Sequence, residues 1–181
     1  MELKFWPLAR FAMRYFKFFI ISLLSIGILF ASGCRKKNKN EPVEISLNVY
    51  MVASESANLQ GKSIGCGEVL VPVSKTILVE KNEVESAMIE LFWMKDTDQL
   101  KNYIKGPGLV LAQANVSNGI AEVFINGDFY MTDTCYINRI RMQLKETAQQ
   151  FKDVKEVKIF MNAQPLERYL QVAEDGFKRF H

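Results

Sequence analysis

The stretch LVLAQANVSNGIAEVFIN, residues 109–126, places two β-rich runs on either side of Ser117-Asn118-Gly119. An Asn-Gly pair accepts the positive φ angles of a tight turn, so the runs 109–116 and 120–126 are expected to fold back on each other as a hairpin. Downstream, Asp133 or Thr134 can cap a long helix in which Ile137, Ile140, Leu144, Ala148 and Phe151 form one stripe while Arg141, Lys145 and Gln149 face elsewhere. Val157, Ile159 and Met161 then alternate with Lys158 and Phe160 as a further strand. After Pro165, the residues Leu166, Tyr169, Leu170, Ala173 and Phe177 describe one more amphipathic helix.

Upstream of the hairpin, Ile45, Leu47, Val49 and Met51 alternate with Glu44, Ser46, Asn48 and Tyr50, the pattern of a half-buried strand over 44–53. Residues 54–67 are rich in Ser, Asn and Gly and read as a loop; 69–71 and 76–79 read as β segments interrupted by Pro72. Asn82 followed by Glu85 has the spacing of a reciprocal cap, and Val84, Ala87, Met88, Leu91 and Phe92 recur at helical intervals behind it. Leu100, Tyr103 and Ile104 suggest a second helical piece that stops at Gly106-Pro107-Gly108. A direct hairpin within this alternation of strands and helices argues against a doubly wound parallel sheet. The expected class is α+β, with a single mixed or antiparallel sheet and helices packed mainly on one face.

The chain has 181 residues, 49% hydrophobic and 24% charged, a composition that excludes a disordered or collagen-like chain. Lys4, Arg10, Arg14 and Lys17 precede an apolar run over 18–30, then Ala31-Ser32-Gly33-Cys34, which is the order of an export signal. Met13 begins a more ordinary signal of this kind than Met1 does, so either can be the start. The last four residues resemble the lipobox of bacterial lipoproteins, which implies lipidation (palmitate among the acyl chains) at Cys34. The other reading is an uncleaved anchor, for which the run is short against the roughly 20 residues a bilayer needs. Residues 1–33 carry the whole formal charge of +3, so the remainder is neutral and the basic balance makes no case for nucleic acid. Arg35, Lys36, Lys37 and Lys39 make 34–43 a basic tether, to be read either as lying against anionic headgroups or as merely solvated. Cys66 and Cys135 remain as an even pair in a compartment that permits disulfides and are expected to be bonded, the other reading being two buried thiols that never meet. The division is then a signal peptide at 1–33, a tether at 34–43, a domain at 44–165 and a terminal helix at 166–181.

Several segments taken together resemble the sporulation and spore germination domain called GerMN. They are Gly65-Cys66-Gly67-Glu68 leading into Val71-Pro72-Val73, the helix through Ala87 and Leu91 followed by Gly106-Pro107, the hairpin 116–123, and Gln150-Phe151 followed by Val154, Val157 and Ile159. The likeness runs from about Ile45 to Pro165. The stretch 93–105 is longer than the family's usual link, and Asn162-Ala163 stands where the family tends to have a glycine turn. The resemblance implies a small mixed domain similar to ring-building modules of bacterial envelope assemblies, used for protein contact or self-association, with no reaction and no cofactor.

The residues themselves offer little catalytic chemistry. His181, the last residue, is the only histidine, which leaves no positioned base for a nucleophilic triad. Gly61, Gly65 and Gly67 lack the Lys-Ser or Lys-Thr that completes a phosphate loop, and two cysteines without histidine make no zinc site. Glu122 and Asp128 form no pattern beyond ordinary strand and turn acids; Asp96 and Asp98 lack calcium-loop spacing and read as caps. The expectation is a non-enzymatic envelope lipoprotein, membrane-anchored and acting on a protein partner. The stripe Leu166, Tyr169, Leu170 and Phe177 is either core or an interaction surface. The alternative is an envelope lipoprotein that binds a small ligand or wall glycan through exposed Tyr50, Trp93 or Tyr103.

Overall fold

The computed structural model, which describes residues 43–79 and 82–180 and side chains as far as 175, folds the alternating stretch into strand β1 (Val43–Ser54). It pairs antiparallel along its whole length with β3 (Glu68–Val79), from Val43 opposite Val79 to Ser54 opposite Glu68. Strand β3 is continuous through Pro72, where two separate segments were expected. Pro72 stands opposite Tyr50, whose N–H and C=O turn away from β3 to bond Thr147 and Gln143, so this pair asks no ladder bond of the proline. A short strand β2 (Lys62–Gly65) adds to the start of β3, inside the stretch read as loop, after a 3₁₀ turn at Glu55–Ala57.

Helix α1 (Glu83–Trp93) starts at the expected cap, with the Glu85 N–H donating to Asn82 Oδ1 at 2.7 Å, and buries Val84, Ala87, Met88 and Leu91. The helical piece expected around 100–104 is not helical. Lys101 instead exchanges both backbone hydrogen bonds with Val52, and the buried Asn102 side chain donates to the Leu91 and Met94 carbonyls that end α1. Gly106 follows for a steric reason, because a Cβ there would overlap the Asp128 carbonyl.

The hairpin forms as β4 (Val110–Ser117) and β5 (Ile120–Asn126), joined through Asn118 and Gly119 at φ 53° and 81°. Helix α2 (Cys135–Gln149) is capped by Asp133, whose Oδ1 accepts from the Tyr136 N–H at 3.0 Å. Strand β6 (Glu156–Met161) lies parallel to β5, β7 (Gln164–Pro165) turns back on it, and α3 (Leu166–Phe180) closes the domain. Asn162 and Ala163 make the β6–β7 turn at positive φ without glycine; the Asn162 amide holds the Gly127 backbone by two bonds of 3.0 and 2.8 Å.

The strands form two sheets, not the single one expected: β1-β3-β2, all antiparallel, and β4-β5-β6-β7, which is mixed. The outer edge of β1 explains the division. Asn48 bonds through both backbone groups to the Gln150 amide, Tyr50 to Thr147 and Gln143, and Val52 to Lys101. Those groups are thereby satisfied, so no ladder is left there for a strand of the second sheet to join. Among the described residues one apolar core nevertheless runs through both sheets and the helices α1, α2 and α3, from Val49 and Met88 through Val123 and Ile140 to Leu166 and Leu170. A small satellite cluster of Val52, Ile64 and Leu70 sits at the β2 end.

Candidate functional site

Cys66 and Cys135 are disulfide-bonded, with Cα atoms 6.2 Å apart across a sequence separation of 69. Cys66 occupies a positive-φ position (56°) in the turn between β2 and β3, and Cys135 opens α2. One helical turn further on, Arg139 donates from Nε to Glu68 Oε2 at 2.7 Å and from Nη1 to Asp133 at 3.0 Å, so one guanidinium ties together the two segments the disulfide joins. Its charge also lies 4.6 Å from the centre of the Tyr103 ring, which meets Tyr136 edge-on at 5.1 Å. Burial works against the Arg139 charge, but the bonds to Glu68 and Asp133 outweigh it and hold its pKa above the ordinary value. Burial, with Tyr103 adding to it, pushes the Tyr136 phenol up to about 12. This cluster keeps its charges paired and its phenols neutral. It fastens the β2–β3 turn to α2.

Of the terminal stripe, Leu166 and Leu170 are buried in the main cluster, whereas Tyr169 is half-buried, its hydroxyl donating to Asp128 Oδ1 at 3.1 Å. Arg141 on α2 grips Glu167 through Nε and Nη2, fixing α3 in place. Cys34 and the Phe177 side chain lie outside the described residues, as do residues 1–33 and His181.

Of the aromatic residues considered for a ligand, Trp93 alone is well exposed, at 80%. Tyr50 and Tyr103 are half-buried against the satellite cluster, where the expectation was exposure. Glu122 sits within β5 opposite Lys158, whereas Asp128 is taken up by Tyr169. Asp96 accepts from the Asn102 N–H at 3.0 Å and from Lys105 Nζ at 2.6 Å, so it ties a loop together where a helix cap was expected. Burial acts against its charge, but these bonds prevail and lower its pKa. Among the described residues no group of three His, Cys, Asp or Glu side chains is placed to hold a metal, and no helix is long and apolar enough to cross a membrane.

A cavity of about 320 Å³ lies between α2, β6 and the start of α3, lined by Arg141, Lys145, Val157, Ile159, Pro165 and Leu166, and further open surface lies around α1. Thr76, Ile77 and Leu78 of β3 face Glu85, Ser86, Ile89 and Glu90 across a cavity of about 500 Å³. On the other side of the helix, Ile89, Phe92 and Trp93 border a second cavity of about 340 Å³ with Leu109, Val110 and Leu111. Ile89 lines both, and Leu78, Ile89, Trp93 and Val110 are 65%, 41%, 80% and 53% exposed. Trp93 stands at the last turn of α1, one residue beyond the half-buried Phe92, which takes it off the buried face.

No protein-family model matches the chain, and no curated protein does. Among solved structures, the chain is similar to the tandem GerMN domains of the sporulation protein GerM from Bacillus subtilis, at 16% identity and a TM-score of 0.48, over 74% of this chain and 43% of that one. The chain thus spans less than half the length of that neighbour. It is also similar, at 13% identity and a TM-score of 0.39, to a chain from Clostridium perfringens described as a lipoprotein, over 71% of this chain and 80% of that one. The structural neighbours therefore include the domain that the sequence motifs resemble.

Proposed function

We propose that this chain is a non-catalytic lipoprotein of the bacterial envelope, anchored at Cys34, whose domain acts by binding another protein. The observation that carries the reading is the band of exposed apolar residues from Leu78 through Ile89 to Trp93 and Val110, bordered by two grooves. Contiguous apolar surface of this kind is characteristic of contact sites. The polar side chains of the interior, by contrast, are spent on structure: Gln143 and Thr147 bond to β1, and Asn102 to the end of α1. The lipid contributes localisation, since restricting the domain to one membrane surface raises its effective concentration near a partner there.

In-cell crosslinking with mass spectrometry tests this reading, with Cys34→Ala as the mislocalised comparison. A reproducible protein crosslink through 78–110 that is lost in the variant is expected. Enrichment of wall fragments without protein crosslinks would refute it. The second reading, glycan binding, draws on the same exposed indole. Trp93 is the one tryptophan beyond residue 33, so its fluorescence reports directly on added peptidoglycan fragments.

A further inference from the structure

Asparagine is followed by glycine twice among the described residues, at Asn118-Gly119 and at Asn126-Gly127. Glycine has no Cβ to shield its backbone nitrogen, so that nitrogen can reach the side-chain carbonyl carbon of the asparagine before it, a reaction that makes asparagine thermolabile. The fold treats the two pairs differently. The Gly127 N–H donates to Asn162 Oδ1 at 3.0 Å, and the Gly127 carbonyl accepts from Asn162 Nδ2 at 2.8 Å. A Cβ on Gly127 would overlap the Gly108 carbonyl, so this backbone is also packed too closely to shift. Gly119 is held only by its carbonyl, which accepts from the N–H groups of Lys155 at 2.7 Å and Glu156 at 3.1 Å. Its own N–H has no partner among the described residues. Asn118 is exposed at the tip of the β4–β5 hairpin, and its side chain makes no hydrogen bond among the described residues.

We propose that Asn118 is a site of spontaneous deamidation and isomerisation in the folded protein, and that the Asn162 clasp protects Asn126 from the same fate. The co-reactant is water. The Gly119 nitrogen gives its proton to hydroxide and attacks Cγ of Asn118. As the new N–Cγ bond closes a succinimide ring, the Cγ–Nδ2 bond breaks and the side-chain nitrogen leaves as ammonia, taking a proton from water. Water then opens the ring. Cleavage at Cγ restores the backbone with aspartate at 118, whereas cleavage of the original peptide bond leaves the Gly119 nitrogen on Cγ, as isoaspartate. Either way a water is consumed, an ammonia is released, nothing is oxidised or reduced, and a carboxylate replaces an amide. The isoaspartate product also adds a methylene to the main chain of a turn whose length sets the register of Ser117 against Ile120. Ile120 stands opposite Glu156, and Gly119 holds Lys155 and Glu156, so the product loosens the start of the β5–β6 join. The inference stands apart from the protein-contact reading.

The test incubates the full chain, folded, in mildly alkaline buffer, and peptide mapping by mass spectrometry separates asparagine, aspartate and isoaspartate at 118 and at 126. Conversion at 118 is expected to be at least about tenfold faster than at 126, a factor that about 1.4 kcal/mol of barrier supplies. In urea with the disulfide reduced, where both pairs are open to attack, the two rates are expected to agree within about threefold. Asn162→Gly tolerates the positive φ of that turn and releases the Gly127 N–H, so conversion at 126 is expected to rise at least about threefold while 118 is unchanged. Equal rates in the folded chain, a lag at 126 that persists in urea, or a rate at 126 that ignores Asn162→Gly each overturns the proposal. Amide hydrogen exchange reads the consequence: Lys155 and Glu156 are expected to exchange at least about tenfold faster in the isoaspartate product than in Asn118→Asp, which carries the same charge on an unlengthened backbone. Equal exchange in the two overturns the loosening of the β5–β6 join.

Discussion

Gln143→Leu probes the join between α2 and β1 at its most buried point. The Gln143 side chain is wholly buried; its Oε1 accepts from the Tyr103 N–H at 2.8 Å and its Nε2 donates to the Tyr50 carbonyl at 2.8 Å. Leucine nearly conserves the volume, so the loss comes from two backbone groups left without partners and not from a cavity. Each such group costs about 1–3 kcal/mol. Both sites are only part-buried, which lets water recover some of that cost, so the expected total is about 3 kcal/mol. For a domain of about 140 residues the unfolding entropy is roughly 0.3 kcal/mol per kelvin, and the loss corresponds to a Tm lower by about 10 °C. Urea unfolding with the disulfide kept oxidised measures it, the midpoint falling while the slope is unchanged. A change below about 0.5 kcal/mol, the range of surface substitutions, would refute the argument that side-chain amides complete the edge of β1.

Removing the disulfide by Cys66→Ala with Cys135→Ala opens a loop with a sequence separation of 69, worth about 4.4 kcal/mol on the chain-entropy model, or about 15 °C in Tm. Calorimetry measures it, and a shift under about 4 °C would mean that the Arg139 ion pairs hold the turn unaided. Asp96 has a folded pKa below its unfolded value, so it contributes stability that is fully present above about pH 4 and is lost as pH falls through the lowered folded value. The stability gap between the parent and Asp96→Asn is therefore expected to be constant from pH 7 to about 5 and to close below that; a gap independent of pH down to 2 contradicts the assignment.

Local chemistry was readable in the sequence. Asn118-Gly119 fixed a turn whose φ angles depend on those two residues, and Asn82 and Asp133 cap helices within three residues of themselves. The division into two sheets was not readable, because it depends on Gln143, Thr147 and Gln150. At helical spacing beside an apolar stripe, such residues look like a solvated face until β1 is laid against them. The segment at 100–104 misled for a related reason: its apolar spacing suits a helix, but Lys101 is claimed by Val52, nearly fifty residues away. The amphipathic pattern of α3 was visible, whereas what covers it is a matter of tertiary placement.

The amide clasp along β1 also governs when this domain becomes a folded object. Its bonds join residues separated by 93, 97 and 102 positions, so the first sheet stays incomplete until the chain through Gln150 is present. Closing contacts of such long range is slow. If the chain crosses a membrane through a narrow channel with its N-terminus leading, the segment that emerges first has nothing to lock onto while the rest is still threading. The architecture thereby defers commitment until transit is nearly over, and the emerging half remains pliable for as long as passage requires it.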